Sequence, residues 1–204
     1  MSSGRIIDTI SELCSRLEAC CAPGRPVTSK LLPIGLITSF LSREGVTPVV
    51  YGGTAVEYYT SGSHESSDVD LLCTNPRRLK EVLLEIGFRQ EVDFFYHDSL
   101  PVPIQLREDV EAELDHRNAV INVEGYEVRI ITVEQTILDY THKFVENGAN
   151  LEPVFVADLI ETYQDELSFE HLLERAKTEF GEPHYHVLRA LIAVKAQQYF
   201  YDAD

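Results

Sequence analysis

The most constraining feature of the sequence is the stretch that runs from Val49 to Leu72, VVYGGTAVEYYTSGSHESSDVDLL. Its pattern predicts a buried strand at 48–51, a glycine pair, a short helix, a polar turn and a second strand that begins with Asp68 and Asp70. Because successive side chains of a strand point to opposite faces, both carboxylates should leave the sheet on one side. At about 6 to 7 Å between their roots, they can share one divalent cation or bracket two.

Two other types of aspartate motif do not fit this stretch. A calcium-binding EF-hand loop needs an oxygen ligand at its fifth position and glycine at its sixth, where this chain has Leu72 and Cys73. A phosphatase-type D-x-D-x-T motif would have threonine four residues after Asp68, a position that Leu72 occupies. The pattern that remains is a glycine pair after an apolar strand, followed by a short helix and a polar turn that leads into Asp-Val-Asp.

The combination of Gly52, Gly53, Asp68 and Asp70 resembles the nucleotidyltransferase superfamily that shares its catalytic core with DNA polymerase β. It is most similar to the small prokaryotic members of abortive-infection and toxin–antitoxin type, whose pattern is G-G and then R-x-T-x-D-x-D. The resemblance implies that a glycine pair opens a helix and that the two aspartates are catalytic and hold the metals. It therefore predicts transfer of a nucleoside monophosphate from a nucleoside triphosphate to an acceptor, with Mg²⁺ or Mn²⁺ as cofactor.

The loop before the aspartates matches this family pattern only in part. His64 stands where the pattern has arginine, and Ser66 stands where it has threonine. Ser66 and Ser67 would offer hydroxyl donors to the nucleotide. The resemblance also places Lys143, on a later helix, at about the point where a lysine approaches the nucleotide phosphates; the alternative is an ordinary exposed lysine on an amphipathic helix.

A third carboxylate is expected in the family on a strand that here spans 102–107, but the corresponding place holds Gln105. A glutamine is a neutral oxygen donor, so it can orient a ligand but cannot act as a base or neutralise a metal charge. Either the third carboxylate has moved or the position has been lost. The acidic residues that could replace it are Glu108, Asp109, Asp93 and Glu127.

The order of predicted elements indicates an α/β (α+β) protein with a small mixed sheet of about five strands and flanking helices. We predict a nucleotidyltransferase-like core with N-terminal helices at 1–132 and a helical C-terminal part, packed on that core, at 133–204.

Pairs of polar residues outside the core have two interpretations each. Arg77 and Arg78 could steady a phosphate, and His184 and His186 could bind a metal, but such pairs are more often solvated or packed.

The charge balance bears on the partners of the protein. With 34 acidic and 17 basic residues, the formal net charge of the 204-residue chain is −17. No basic patch is then available to bind nucleic-acid phosphates, so DNA binding is not expected, whereas a basic protein partner is possible. No apolar run reaches the roughly 18 residues of a membrane span, and the N-terminus lacks the pattern of a signal peptide. We therefore expect a cytoplasmic protein.

Gln105, His64 and Ser66 also support a second hypothesis, of a different class. The chain could be a catalytically degenerate nucleotidyltransferase-like module that binds a nucleotide or a protein partner, as in a toxin–antitoxin pair, without turnover. The sequence leaves the acceptor open between a tRNA end, a protein side chain and a small molecule.

Overall fold

A computed structural model describes residues 6–20, 27–98, 100, 102–107, 118–148 and 152–195, except for the side chains of 27–29. The chain folds into two compact units, Met1–Ile131 and Thr132–Asp204. The first unit contains the sheet and the second is helical. Glu108 and Asp109, two of the candidates for a third carboxylate, lie outside the described residues.

Within the described ranges, one mixed sheet of seven strands forms the centre of the first unit, with the order β3-β4-β5-β2-β1-β7-β6. Strand β2 pairs antiparallel with β1 and parallel with β5, while β7 pairs parallel with β1. The remaining neighbours are antiparallel. The strands are β1 (Pro48–Tyr51), β2 (Val69–Cys73), β3 (Arg89–Glu91), β4 (Phe94–Tyr96), β5 (Ile104–Leu106), β6 (Asn118–Val123) and β7 (Tyr126–Ile131).

The mixed α/β class is as predicted, but the expected count of about five strands was too low. The pattern did not indicate β3, because all three of its residues are exposed and show no alternation of apolar and polar side chains. Strand β4 begins at Phe94, two residues after the apolar Val92. Val92 has a φ of +56°, so it belongs to the turn that joins β3 to β4.

The helices of the first unit are α1 (Ile10–Cys20), α2 (Val27–Leu41), α3 (Gly52–Tyr59) and α4 (Pro76–Glu85), with a 3₁₀ turn at Ser42–Glu44. Helix α2 approaches the sheet closely at Gly35, where an added Cβ would lie 2.8 Å from the Cβ of Tyr126. Helix α3 connects β1 to the polar turn before β2, and the hydroxyl of Tyr59 at its end donates to the carbonyl of Ile131 at 2.7 Å. This bond fixes the helix that follows the glycine pair.

The helices of the second unit are α5 (Val133–Asn147), α6 (Glu152–Tyr163), α7 (Phe169–Arg175) and α8 (Glu182–Lys195), and a π-helical segment, Ala176–Phe180, continues α7. Thr132 caps α5 by accepting from the backbone N–H of Gln135. The Gln135 side chain does not complete a capping box, because it bonds with Asp139 and Arg175 instead. Among the described residues, none of the helices combines the length and apolar character needed to cross a bilayer.

Candidate active site

Asp70 lies on the central strand β2, between β1 and β5. Its direct neighbours in the sheet are Tyr51 on one side and Gln105 on the other. Asp68 immediately precedes β2, which begins at Val69, so it is not within the strand as the sequence predicted. Since Val69 is buried and the two aspartates are half-buried, the alternation of a strand nevertheless extends back to Asp68. Both aspartates therefore occupy the more accessible face.

The glycine pair lies directly against this face. Gly52 has a φ of +65°, a conformation that glycine adopts readily and other residues rarely do. A Cβ at Gly52 would lie 2.1 Å from Oδ2 of Asp70, and a Cβ at Gly53 would lie 2.6 Å from Oγ of Ser66. The backbone at the start of α3 can approach Asp70 and Ser66 this closely only because neither glycine has a side chain.

Asp68 is positioned by hydrogen bonds from two hydroxyl groups. The hydroxyl of the fully buried Thr54 on α3 donates to the main-chain carbonyl of Asp68 at 2.7 Å. The hydroxyl of Ser66 donates to Oδ1 of Asp68 at 3.4 Å, a long bond that leaves the carboxylate half-accessible. Ser67 is exposed. The two serines thus differ, since Ser66 contacts Asp68 and Ser67 faces solvent.

A buried ion pair supports the loop that carries Ser66, and it was not predicted from the sequence. Nζ of Lys30 on α2 lies 3.0 and 3.1 Å from the two carboxylate oxygens of Glu57 on α3 and donates to the carbonyl of Ser66 at 2.8 Å. Glu57 in turn accepts from the backbone N–H of Ser66 at 3.0 Å. The side chains of Lys30 and Glu57 are only 10% and 6% exposed, so the pair holds Ser66 from the inside of the fold.

Gln105 stands directly opposite Asp70 in the parallel pair β2–β5 and is half-buried. The register therefore puts a neutral amide at the side of the aspartates where the resemblance implied a carboxylate. Of the two described acidic candidates, Asp93 is exposed in the turn before β4, and Glu127 is exposed on β7, on the far side of β1 from β2. Neither pairs directly with Asp70.

The other predicted phosphate-binding residues have different surroundings. Lys143 lies on α5 in the second unit, with Nζ 4.4 Å from the ring centroid of Tyr140, and its phosphate role stays a prediction. Arg78 forms two hydrogen bonds to the carboxylate of Glu44, at 2.6 and 2.8 Å, which bind its guanidinium within the protein. Arg77 pairs with Glu81 on the exposed face of α4. Arg77 and Arg78 therefore pair with glutamates on or beside α4 and are not part of the aspartate site.

Comparison with known families and structures shows what this chain resembles. Residues 31–103, a little over a third of the chain, match the family model "Nucleotidyl transferase of unknown function (DUF2204)". The matched segment contains the glycine pair, the two serines and both aspartates, but it ends before Gln105 and Lys143. No curated protein matches the chain.

Among solved structures, an antigenic nucleotidyltransferase-like protein from Paracoccidioides brasiliensis aligns with a TM-score of 0.57 at 12% identity, over 83% of this chain and 88% of its own. Two structures of the antibiotic-resistance factor ANT(2'')-Ia align at 18% identity. The solution structure has a TM-score of 0.41, over 86% of this chain and 94% of its own. The crystal structure with adenylyl-2''-tobramycin has a TM-score of 0.40, over 83% and 97%. The chain therefore has a nucleotidyltransferase-like fold, and its segment 31–103 resembles a nucleotidyl transferase family.

Proposed function

We propose that this protein transfers a nucleoside monophosphate from a nucleoside triphosphate to an acceptor. The observation that carries the proposal is the meeting of Asp68 and Asp70 with the turn at Gly52 and Gly53 on one accessible face of the sheet. In this arrangement an anionic substrate can approach the start of α3 while the aspartates remain within reach of it. The acceptor is left open.

The donor atoms at this face suit a hard divalent cation. Two carboxylates, the amide oxygen of Gln105 and the hydroxyl of Ser66 are all oxygen ligands, which Mg²⁺ and Mn²⁺ prefer. Asp68 and Asp70 would hold the ion, with Gln105 as a neutral third donor beside Asp70. When bound, such an ion supplies charge neutralisation for the phosphates and a lowered pKa for an acceptor hydroxyl.

The remaining residues would bind and orient the nucleotide. Backbone N–H groups at Gly52 and Gly53 can approach a phosphate closely, because no Cβ stands in the way. The positive end of the α3 dipole also lies at this turn, which favours an anion there. Ser67 is exposed and can donate to a phosphate, while Ser66 keeps Asp68 in place. We assign Lys143 to the nucleotide phosphates as a further part of the proposal.

A second candidate function is nucleotide or protein binding without turnover, for example as one component of a toxin–antitoxin pair. It is favoured by Gln105, which occupies the place opposite Asp70 and supplies no charge. A two-carboxylate site can still hold a cation, so this candidate differs from the first in the absence of product rather than in the absence of binding.

Calorimetric titration with each nucleoside triphosphate, in the presence of Mg²⁺ or Mn²⁺, tests the cation role of the aspartates. We expect saturable binding that the double variant Asp68→Asn, Asp70→Asn abolishes. The matched control is Asp8→Asn, Asp98→Asn, which removes two exposed carboxylates that pair with surface arginines and should leave binding unchanged. Binding that persists without a divalent cation, or in the first double variant, would contradict the proposal.

A labelling experiment separates transfer from mere binding. The protein is incubated with α-labelled triphosphates, Mg²⁺ and a cell extract, and labelled products are resolved by size. We expect one acceptor class to acquire label with the wild type and none with Asp70→Asn. If metal-dependent binding is present but none of the four nucleotides labels an acceptor, the binding module is the correct function.

A further inference from the structure

Three potential metal ligands meet in the second unit. His142 and Glu146 lie four residues apart on α5, and therefore on one face of that helix. His184 comes from α8, early in that helix. One ligand atom from each of the three lies within 4.8 Å of the other two. The sequence suggested His184 and His186 as a pair, but the structure pairs His184 with His142.

Two separations between these atoms bracket the spacing of ligands around a small tetrahedral ion. Nδ1 of His142 lies 3.0 Å from Nε2 of His184, and that same Nε2 lies 3.8 Å from Oε1 of Glu146. Zinc bonds of about 2.0 to 2.1 Å place two tetrahedral ligands roughly 3.3 to 3.4 Å apart. The two observed distances lie on either side of this value. The Glu146 side chain is 57% exposed, so it can rotate to adjust the longer one.

Both imidazole rings are fixed by aromatic packing. The ring of Phe180, the last residue of the π-helical segment, stacks on His142 with centroids 4.8 Å apart, and it packs at 5.4 Å against His184. The two imidazoles meet edge to edge, with centroids 5.1 Å apart and ring planes 24° from parallel. His184 is only 4% exposed. A ligand set whose rings are already oriented loses little conformational freedom when it binds an ion.

We propose that His142, Glu146 and His184 form a binding site for a divalent transition metal, with Zn²⁺ as the best match. Two imidazole nitrogens and one carboxylate oxygen are typical zinc ligands, whereas Mg²⁺ and Ca²⁺ prefer ligand sets made of oxygen. Three protein ligands leave a position for water, which can reach the ion on the exposed side of Glu146. None of the three ligands is among the residues proposed for nucleotidyl transfer.

The alternative is a simple hydrogen bond between the two imidazoles. In that arrangement one ring nitrogen carries the shared proton, and Nδ1 of the buried His184 is left without a hydrogen-bond partner among the described residues. That nitrogen is equally without a partner when Nε2 of His184 binds a metal, so it does not distinguish the two arrangements. The two possibilities differ in one measurable property, the binding of a metal ion with defined stoichiometry.

The test is a Zn²⁺ titration of the full chain after chelator treatment. It is carried out in the Asp68→Asn, Asp70→Asn background, so that those carboxylates cannot bind the added ion. We expect one Zn²⁺ per chain, with an affinity that falls about tenfold or more in His142→Ala and in Glu146→Gln. The control is His186→Ala, because His186 is 67% exposed and pairs with Glu182 instead, and this variant should bind zinc normally.

The variants are chosen so that a folding defect cannot decide the outcome. Glu146 is exposed, so Glu146→Gln should have the same unfolding temperature as the metal-free parent chain. If His142→Ala unfolds, the loss of zinc affinity in Glu146→Gln decides the test. Co²⁺ provides a second measurement, since tetrahedral Co²⁺ absorbs strongly in the visible range and octahedral Co²⁺ does not. Absence of saturable Zn²⁺ binding, or equal affinity in Glu146→Gln and the parent chain, would overturn the proposal.

Discussion

At the scale of single residues, Gly52 combines two constraints that can be separated by experiment. Its φ of +65° strains any other residue, and its missing Cβ makes room for Asp70. We predict that Gly52→Ala lowers the unfolding free energy by about 1 to 3 kcal/mol and removes metal-dependent nucleotide binding, because the new methyl group displaces the carboxylate. Urea denaturation and calorimetry measure the two effects.

Gly62 offers a matched control for this substitution. Its φ is +86°, but an added Cβ would meet no atom within 4 Å. Gly62→Ala should therefore show the conformational strain alone and bind nucleotide as the wild type does. Equal loss of binding in both variants would mean that the contact between Gly52 and Asp70 does not cause the loss of nucleotide binding.

Gln105 allows a gain-of-function experiment at the same scale. Gln105→Glu places a third carboxylate opposite Asp70 with almost no change in side-chain volume. We predict a lower melting temperature without metal, since like charges repel, and a larger stabilisation by Mn²⁺ than in the wild type. Thermal unfolding with and without Mn²⁺ measures both. A variant that gains no extra stabilisation from Mn²⁺ would show that this position lies outside the metal's reach.

The candidate site could be inferred from sequence where it depends on local geometry. The period of a strand is enough to place Asp68 and Asp70 on one face, and the resemblance to nucleotidyltransferases implied that the glycine pair belongs to the same site. The two pairs that the sequence did not indicate, Lys30 with Glu57 and His142 with His184, join helices distant along the chain. Their contact depends on how the helices pack, and the spacing of residues within one segment does not indicate which helices meet.

At the scale of elements, the Lys30–Glu57 pair links α2 to α3 and supports the loop that carries Ser66. Lys30→Met leaves Glu57 buried without its cation, and we predict a loss of about 3 to 5 kcal/mol of unfolding free energy. The double variant Lys30→Met, Glu57→Gln removes the charge but keeps an acceptor for the Ser66 N–H, so it should recover part of this loss. A urea double-mutant cycle gives the coupling energy.

The second unit provides a control with the same substitution. Lys195 pairs with Glu161 at an exposed position, and Lys195→Met should therefore change the unfolding free energy only slightly. If Lys30→Met proves as mild as Lys195→Met, the buried pair does not support the site loop.

Helix α4 is connected to the 3₁₀ turn after α2 by Arg78 and Glu44, and this contact should depend on pH. Hydrogen bonds from Arg78 lower the pKa of Glu44 below its ordinary value of 4.5. The folded state therefore holds this proton less tightly than the unfolded state does, so the contact stabilises the fold above the ordinary pKa. Its contribution is lost as the pH falls through the lowered pKa.

We predict that Arg78→Met destabilises the protein at neutral pH and that its difference from the wild type shrinks as the pH falls below about 4. Urea denaturation across this range measures the difference. Arg77→Met removes the same charge from a 90% exposed neighbour and should have little effect at any pH. A difference for Arg78→Met that is constant with pH would show that packing, not the ion pair, is responsible.

A strand or helix could be predicted from sequence when its buried side chains recur at a regular spacing. Strand β7 alternates Tyr126, Val128 and Ile130 on its buried face, a period that marks a strand in the sequence alone. Strand β3 has no buried residue, and only its pairing with β4 makes it a strand. Such a pairing is a property of two segments together, which a single run of residues does not reveal.

At the scale of the whole molecule, the net charge of −17 should oppose compactness. We predict that the melting temperature rises as NaCl is increased from about 0.05 to 0.5 M, because salt screens the repulsion between acidic groups. Differential scanning calorimetry measures this. Guanidinium salts cannot replace NaCl, since they denature. A melting temperature that falls with NaCl would show that attractive ion pairs outweigh the repulsion.

The central position of β2 has a consequence for motion. Its backbone is held by β1 on one side and by β5 on the other, so the amide hydrogens of this strand should exchange with solvent only when the first unit opens as a whole. The turn that precedes it has no such ladder and is held at Ser66 by Lys30 and Glu57, so it can open before the strand does. Strand β2 therefore keeps the aspartates in a rigid position, while the turn beside them can change its conformation. A bound ligand could rearrange the turn without moving the strand.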